Sequence, residues 1–328
     1  MVSDTPPNLD PEPTAEFDER CTAIFSSWEN GDLPFKETIA RLAIYCQEAI
    51  AAGQLANQGR AEQLLGNVQH YHGNLTTSIH HWERARQLFA RINNQWRMAT
   101  MDMNIGESYR FQGDCERAIQ LYRTAYKIAD EAGILRTKTL ATVNEGLALL
   151  AIQQDSAARV AFEHALQLSS EGWPEADYDK WLSLHCEIYH GMATIYLRED
   201  NPEAAWECAV QALELTAANA LPRPRGYAQR TAGEVITHLG ISPDPRWSSD
   251  ADEYFHAAID SFREINAEAE LARTMYAHAV SLAQRGRQVA AARKLQQATI
   301  IFTRLGMLDD AAHATEAQGN LAQLGLAL

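Results

Sequence analysis

Small and apolar positions recur along this chain with a fixed period. Gly66, Gly106 and Gly146 stand 40 residues apart. Seven residues after each comes Gly73, Gly113 or Gln153, and five further on a small residue, Ser78, Ala118 or Ala158. Four on is an aromatic, Trp82, Tyr122 or Phe162, and three on is Ala85, Ala125 or Ala165. The frame resumes at Ala193, Gly233 and Ala279 once two insertions are allowed for, one around "EGWPEADYDKW" and one in "ISPDPRWSSD". Both insertions are expected in loops, where a repeat array tolerates added length.

Each period predicts two amphipathic helices. Leu65, Gly66 and Gln69 share one face of the first, and the small–aromatic–Ala stripe at i, i+4, i+7 marks the second. Small residues let the two backbones approach while the aromatic fills the groove beside them. Gly73, Gly113, Gly240 and Gly286 fall where the first helix should end in a left-handed turn. Asn74, Asp114 and Asn201 are then the N-caps of the second helix, with Pro202 at its first position. One pair cannot bury its apolar face alone, so stacked pairs form the stable unit. The predicted fold class is all-α: a right-handed α-solenoid of seven antiparallel helix pairs plus a terminal helix. Residues 1–15 read as a disordered, acidic, Pro-rich tail and 17–52 as a divergent first pair. Motif copies start near 59, 99, 139, 186, 226 and 272, and a C-terminal helix covers 311–328. The apolar end "NLAQLGLAL" closes the array or docks on something else, a second copy of the chain included.

The stretch "NIGESYRFQGDCERAIQLYRTAYKIADEAG" resembles the tetratricopeptide repeat, with the Gly, Tyr, Gly, Ala, aromatic, Ala series complete. The period of 40, rather than 34, resembles the long repeats of bacterial signal-transduction proteins. The resemblance extends over residues 16–328. It implies a concave surface lined by the first helix of each pair. In the first full copy that surface would present Arg60, Gln63, Asn67, His70 and Tyr71. In the next it would present Asn104, Glu107, Arg110 and Phe111, and in the third Leu140, Leu147 and Asn144 beside them. His190 and Arg198 follow, then Tyr227, Arg230, Glu234 and His238, and finally Tyr276. Aromatic rings offer contact area and Arg offers forked hydrogen bonds, a set suited to peptide recognition. Charge reversal at Arg110 or Arg230 is expected to weaken an acidic partner. Asn67 and Asn104 also match the two Asn positions of the carboxylate clamp found in some family members. Gln63, Leu140 and Asn144 replace its cations, so binding of a chaperone C-terminus is not expected, although both amides can bond a peptide backbone.

Composition narrows this picture. The chain has 328 residues and a formal net charge of −15, which opposes nucleic-acid binding because phosphate contacts need clustered Lys and Arg. No apolar run approaches membrane-spanning length. Five scattered cysteines read as free thiols of a reducing, cytoplasmic setting. The segment "LGNVQHYHGNLTTSIHHW" holds His70, His72, His80 and His81. Their spacings diverge around a helix, whereas a helical zinc pair wants i, i+4, so no metal is expected. No phosphate loop, G-x-S-x-G or H-E-x-x-H is present, and neither catalysis nor a cofactor is expected. The insertions carry Trp173, Tyr178, Trp181 and Trp247, which either contact a partner or pack over gaps in the array. The sequence thus points to a bacterial scaffold or adaptor that binds a peptide or protein segment. The alternative is a regulator that senses a peptide or small ligand through a change in superhelix pitch.

Overall fold

The computed structural model describes residues 12–29, 32–172, 178–217 and 221–323. Among them are fifteen helices and no strand. In order these are α1 (Ala15–Glu29), α2 (Phe35–Ala51), α3 (Leu55–Tyr71), α4 (Leu75–Arg91), α5 (Gln95–Phe111), α6 (Cys115–Glu131) and α7 (Leu135–Ala151). There follow α8 (Asp155–Ser170), α9 (Tyr178–Arg198), α10 (Pro202–Ala217), α11 (Pro222–Leu239), α12 (Ala251–Glu264), α13 (Glu268–Gln284), α14 (Gln288–Arg304) and α15 (Leu308–Gln323). The chain is an all-α helical repeat that divides into two compact units, Met1–Ala148 and Leu149–Leu328.

The turns inside the pairs follow from backbone sterics. Gly73, Gly113, Gly240 and Gly286 all take positive φ, from 75° to 90°, a region open to glycine but costly for residues with a Cβ. Asp114 N then bonds Tyr109 O at 2.9 Å, the six-to-one closure of a helix end. Where the frame puts another residue at this position, the conformation persists: Gln153 has φ 59° and Asp200 φ 56°. Of the expected caps, Asp114 accepts from Arg117 N and Asn201 from Ala204 N. Asn74 does not cap; its amide instead donates to Gln69 Oε1 at 2.7 Å.

The stripes of the second helices are the core. Ser78, Ala118, Ala158, Ala205 and Ala291 have no exposed surface, and Tyr122, Phe162 and Phe255 are fully buried. The rings press on glycine. A Cβ on Gly66 would lie 2.4 Å from Trp82, and one on Gly106 2.7 Å from Tyr122. A second series, outside the expected stripe, sets Gly59 against Phe89 and Gly226 against Phe262. Phe162 meets Gly191, two residues ahead of the frame position at Ala193. Truncating a buried aromatic of this kind costs about 3–5 kcal/mol, so each ring matters to its own pair.

Several expectations need correction. The surplus near "EGWPEADYDKW" is partly helical, because α9 begins at Tyr178 and runs 21 residues. Trp181 packs beside the apolar core of the second unit, and so does Trp247 from the other insertion. Tyr178 stacks on Trp181, while Trp173 lies outside the described residues. The tail expected over 1–15 is anchored at its inner end, since Glu12 and Thr14 make side-chain and backbone hydrogen bonds to α3 and α5; residues 1–11 lie outside the described set. The final helix starts at Leu308, and 324–328 lie outside the described residues. All five cysteines are free. Burial pushes the Cys21, Cys46 and Cys186 thiols up to about 12, which removes their thiolate reactivity.

Candidate functional site

In the second unit, α9 touches α11, α11 touches α13 and α13 touches α15. No comparable contact joins successive even-numbered helices among the described residues. That unit therefore curves toward its odd-numbered layer, which forms the inner side of a hollow.

This layer is cross-linked by charge. Arg230 of α11 donates to Glu270 of α13 at 2.8 Å, Arg273 donates to Glu270 at 2.9 Å, and Arg273 also pairs with Asp310 of α15 at 3.2 Å. His190 of α9 sits 3.1 Å from the Thr231 hydroxyl and 3.6 Å from Glu234. The Arg230 side chain is only 5% exposed, it lies over the Tyr227 ring, and its buried Nε has no hydrogen-bond partner. Tyr227 is itself buried, edge-on to Phe262. These two residues are therefore framework for the hollow rather than exposed contacts. Arg198 is used elsewhere: it reaches Leu150 O at 3.1 Å and Asp155 at 2.6 Å, closing the turn before α8. His238 is exposed and Tyr276 half-buried, and both remain on the layer.

Burial pushes the Glu234 carboxyl up to about 7, against the pull of the Arg230 charge. Burial, with Arg230 adding to it, holds His190 well below its ordinary value, so the ring is neutral. The folded chain keeps the Glu234 proton between its ordinary 4.5 and about 7, whereas the unfolded chain has released it. Stability from this group is thus greatest at low pH and falls as pH rises through 7. His190 acts in the opposite direction near its ordinary value. Comparison with Glu234→Gln isolates the carboxyl: between pH 6 and 8 the wild type is expected to lose about 1 kcal/mol more than the variant, read from urea midpoints. Parallel curves would remove the buried proton.

The first unit places its expected residues differently. His70 is half-buried and already engaged by its neighbours. Its Nδ1 lies 2.9 Å from the Ser108 hydroxyl, its ring is 5.3 Å from Trp82 and 5.1 Å from Phe111, and burial lowers it to about 4. Phe111 beside it is buried. Asn67 accepts the Trp82 indole N–H at 3.0 Å, so the oxygen expected to hold a peptide backbone instead holds the core. Arg60 secures α1 through Asp18 and Thr22. Arg110 forks onto Glu107, which also accepts the Tyr122 hydroxyl at 3.2 Å. Asn104 and Asn144 are half-buried. Tyr71 is the exposed member, at 56%. It sits 6.2 Å from Trp28 and 6.5 Å from Phe25, two α1 rings that the repeat frame did not reach because the first pair departs from the motif.

The other three histidines also disperse. His72 stacks on Phe35 at 3.7 Å, His80 is exposed beside Glu83, and His81 pairs with the buried Glu62 at 2.6 Å. Among the described residues no group of three His, Cys, Asp or Glu side chains could hold a metal ion. No helix among them is long and apolar enough to cross a membrane.

Comparison with known proteins agrees with the repeat frame. Residues 57–131 match the tetratricopeptide repeat family model. No curated protein matches the chain. Among solved structures, the apo form of RapI superposes with a TM-score of 0.66 at 10% identity, covering 88% of this chain and 98% of its own. The Rap conjugation gene regulator of plasmid pLS20, in complex with the Phr* peptide, gives 0.55 at 14% identity over 85% of this chain and 79% of its own. The apo quorum sensor NprR from B. thuringiensis gives 0.53 at 12% identity, over 94% and 97%. At identities this low, the superpositions show a shared fold of tetratricopeptide-type helical repeats and nothing finer.

Proposed function

We propose, for a chain that carries tetratricopeptide repeats over residues 57–131 and that fold beyond them, that it is a non-catalytic interaction module. It takes an extended peptide segment of a partner protein on the hollow, odd-numbered layer of its second unit. The observation that carries this reading is the polar layer itself. The odd-numbered layer of α9, α11 and α13 keeps polar side chains at partly exposed positions. It presents half-buried Glu187, Thr194 and Tyr276 and exposed His238 above a fixed ion-pair floor. Such a surface offers a peptide hydrogen-bonding groups and one aromatic contact at little reorganisation cost. The fold is shared with a regulator held in complex with a peptide, which supports the same use.

Charge plays a smaller part than the sequence implied. Arg110, Arg230 and Arg273 each already hold a carboxylate, so preference for an acidic partner from these groups is offset internally. Selection should instead follow backbone hydrogen bonding and contact with Tyr276.

A random peptide library panned against the full chain tests the reading, with enriched sequences resynthesised for calorimetry. Tyr276→Ala and His238→Ala are expected to weaken binding at least tenfold while melting as cooperatively as wild type. His80→Ala, on the outer side of α4, should leave affinity unchanged. Peptides indifferent to the first two variants would sink the proposal. The ion pairs joining successive odd helices also favour a sensing role, since a ligand that rearranges them changes the spacing of those helices. Compaction on peptide addition, read by small-angle scattering, would distinguish a sensor from a rigid scaffold.

A further inference from the structure

The inner end of the N-terminal segment is held in an unusual way. Glu12 lies ahead of α1, yet its carboxylate is hydrogen-bonded on both oxygens by the start of α5. One oxygen accepts from Asn94 Nδ2 and from Trp96 Nε1, each at 2.8 Å. The other accepts from Arg97 Nε at 2.7 Å and from its terminal nitrogen at 2.6 Å. Both guanidinium nitrogens converge on that one oxygen, a charge-assisted contact, while the two neutral donors hold the first.

The two partners differ in burial. The Arg97 side chain is 9% exposed and Glu12 is 42% exposed. Arg97 is built into the fold: Gln63 accepts from it at 3.2 Å, and the Phe89 and Trp96 rings lie 5.4 and 4.7 Å from its guanidinium carbon. Asn94 has no exposed surface. Glu12 is the only carboxylate in ion-pair contact with Arg97 among the described residues. A buried guanidinium left with one neutral amide would be costly, so the cradle requires an anion. Burial alone would raise the Glu12 carboxyl, but the bonds from Arg97, Asn94 and Trp96 and the Arg97 charge outweigh it and hold it below its ordinary value.

The anion arrives the way a peptide ligand would. Glu12 directly precedes Pro13, and the residue before a proline is pushed to extended backbone. Two residues on, Thr14 N donates to Asn57 Oδ1 at 2.9 Å, so the segment crosses the starts of both α3 and α5. A receptor fixed in the helix array thus holds a short, solvent-exposed segment by the Glu12 carboxylate and by the Thr14 backbone and hydroxyl, both on Asn57.

We propose that Asn94, Trp96 and Arg97 form a carboxylate-binding site for an extended acidic peptide, and that this chain occupies the site with its own Glu12. The N-terminal segment is then a competitor in cis, with the effective concentration that a short tether provides. The site lies in the first unit and stands independently of which peptide the second unit takes.

The test uses the full chain labelled with nitrogen-15, following the Trp96 indole N–H resonance, assigned by its loss in Trp96→Phe. The probes are the capped tripeptides acetyl-Pro-Glu-Pro-amide and acetyl-Pro-Gln-Pro-amide. In Glu12→Ala the glutamate probe should shift the Trp96 indole saturably and the glutamine probe should not. In wild type the glutamate probe should bind at least tenfold more weakly. Glu12→Gln, which preserves shape and removes charge, should behave as Glu12→Ala does, and dispersed indole peaks in both variants verify that α5 is folded. The proposal is overturned if the indole of folded Glu12→Ala ignores the glutamate probe or answers both probes equally. It also fails if wild type binds as well as Glu12→Ala, because the site would not then be filled in cis.

Discussion

Gly106→Ala is expected to destabilise the chain by about 2 kcal/mol, although it adds a single methyl group to a helix interior where alanine is the better helix former. The cause is the ring opposite. A Cβ at position 106 would lie 2.7 Å from Tyr122 Cε1, and Tyr122 has no exposed surface and so nowhere to move. Its hydroxyl is further tied to Glu107. Tyr122→Leu alone should cost about 2–3 kcal/mol through the void it leaves. The double variant should be more stable than the sum of the two by 1 kcal/mol or more, because the methyl enters that void. The chain already contains the combination. Where the frame has Gly66 or Gly233, the facing residue is Trp82 or Phe255; where it has Ala279, the facing position is Leu295. Urea denaturation followed by far-ultraviolet circular dichroism reads all three variants. Strict additivity would show that the glycine is not there for the ring.

The second large effect is expected at Arg230. Arg230→Glu should cost about 3–5 kcal/mol, since it breaks a buried pair and sets a third carboxylate beside Glu270 and Glu234. Arg230→Met keeps most of the volume over Tyr227 and leaves Glu270 with Arg273, so its cost should be clearly smaller. The same denaturation measurement separates them, and equal losses would mean that packing rather than charge fixes Arg230. The contrast also changes how the residue can be used. Charge reversal at Arg230, which from sequence looked like a probe of partner affinity, would report unfolding of the hollow instead.

These two sites show what was legible beforehand. The glycines, the small residues and the aromatics of the second helices were readable because helix contact within a pair depends on side-chain size at fixed spacings, and size is written in each letter. Gln153 and Asp200 were placed in their turns by register alone, and both take the left-handed conformation there. The members of the odd-numbered layer were also readable by position. Their availability was not, because that depends on which neighbour each one meets. Those neighbours lie about one period away: Arg230 with Glu270, His190 with Thr231, His70 with Ser108. A search for complementary polar pairs one repeat apart would have found several of them. It would not have found Glu12 with Arg97, 85 residues distant, since the segment before α1 belongs to no repeat.

By itself, then, the sequence determined the two-helix period, its turns, its core stripes and which helices form the odd-numbered layer of the second unit. These follow from local sterics and from a pattern repeated often enough to be unambiguous. Tertiary structure alone decided which polar groups on that layer are consumed. Arg60, Asn67, His70 and Arg230 went to the framework, while Tyr71, His238 and Tyr276 kept exposed surface. A buried charge or amide must find a partner when neighbouring helices close over it, and only the folded arrangement determines which partner is within reach.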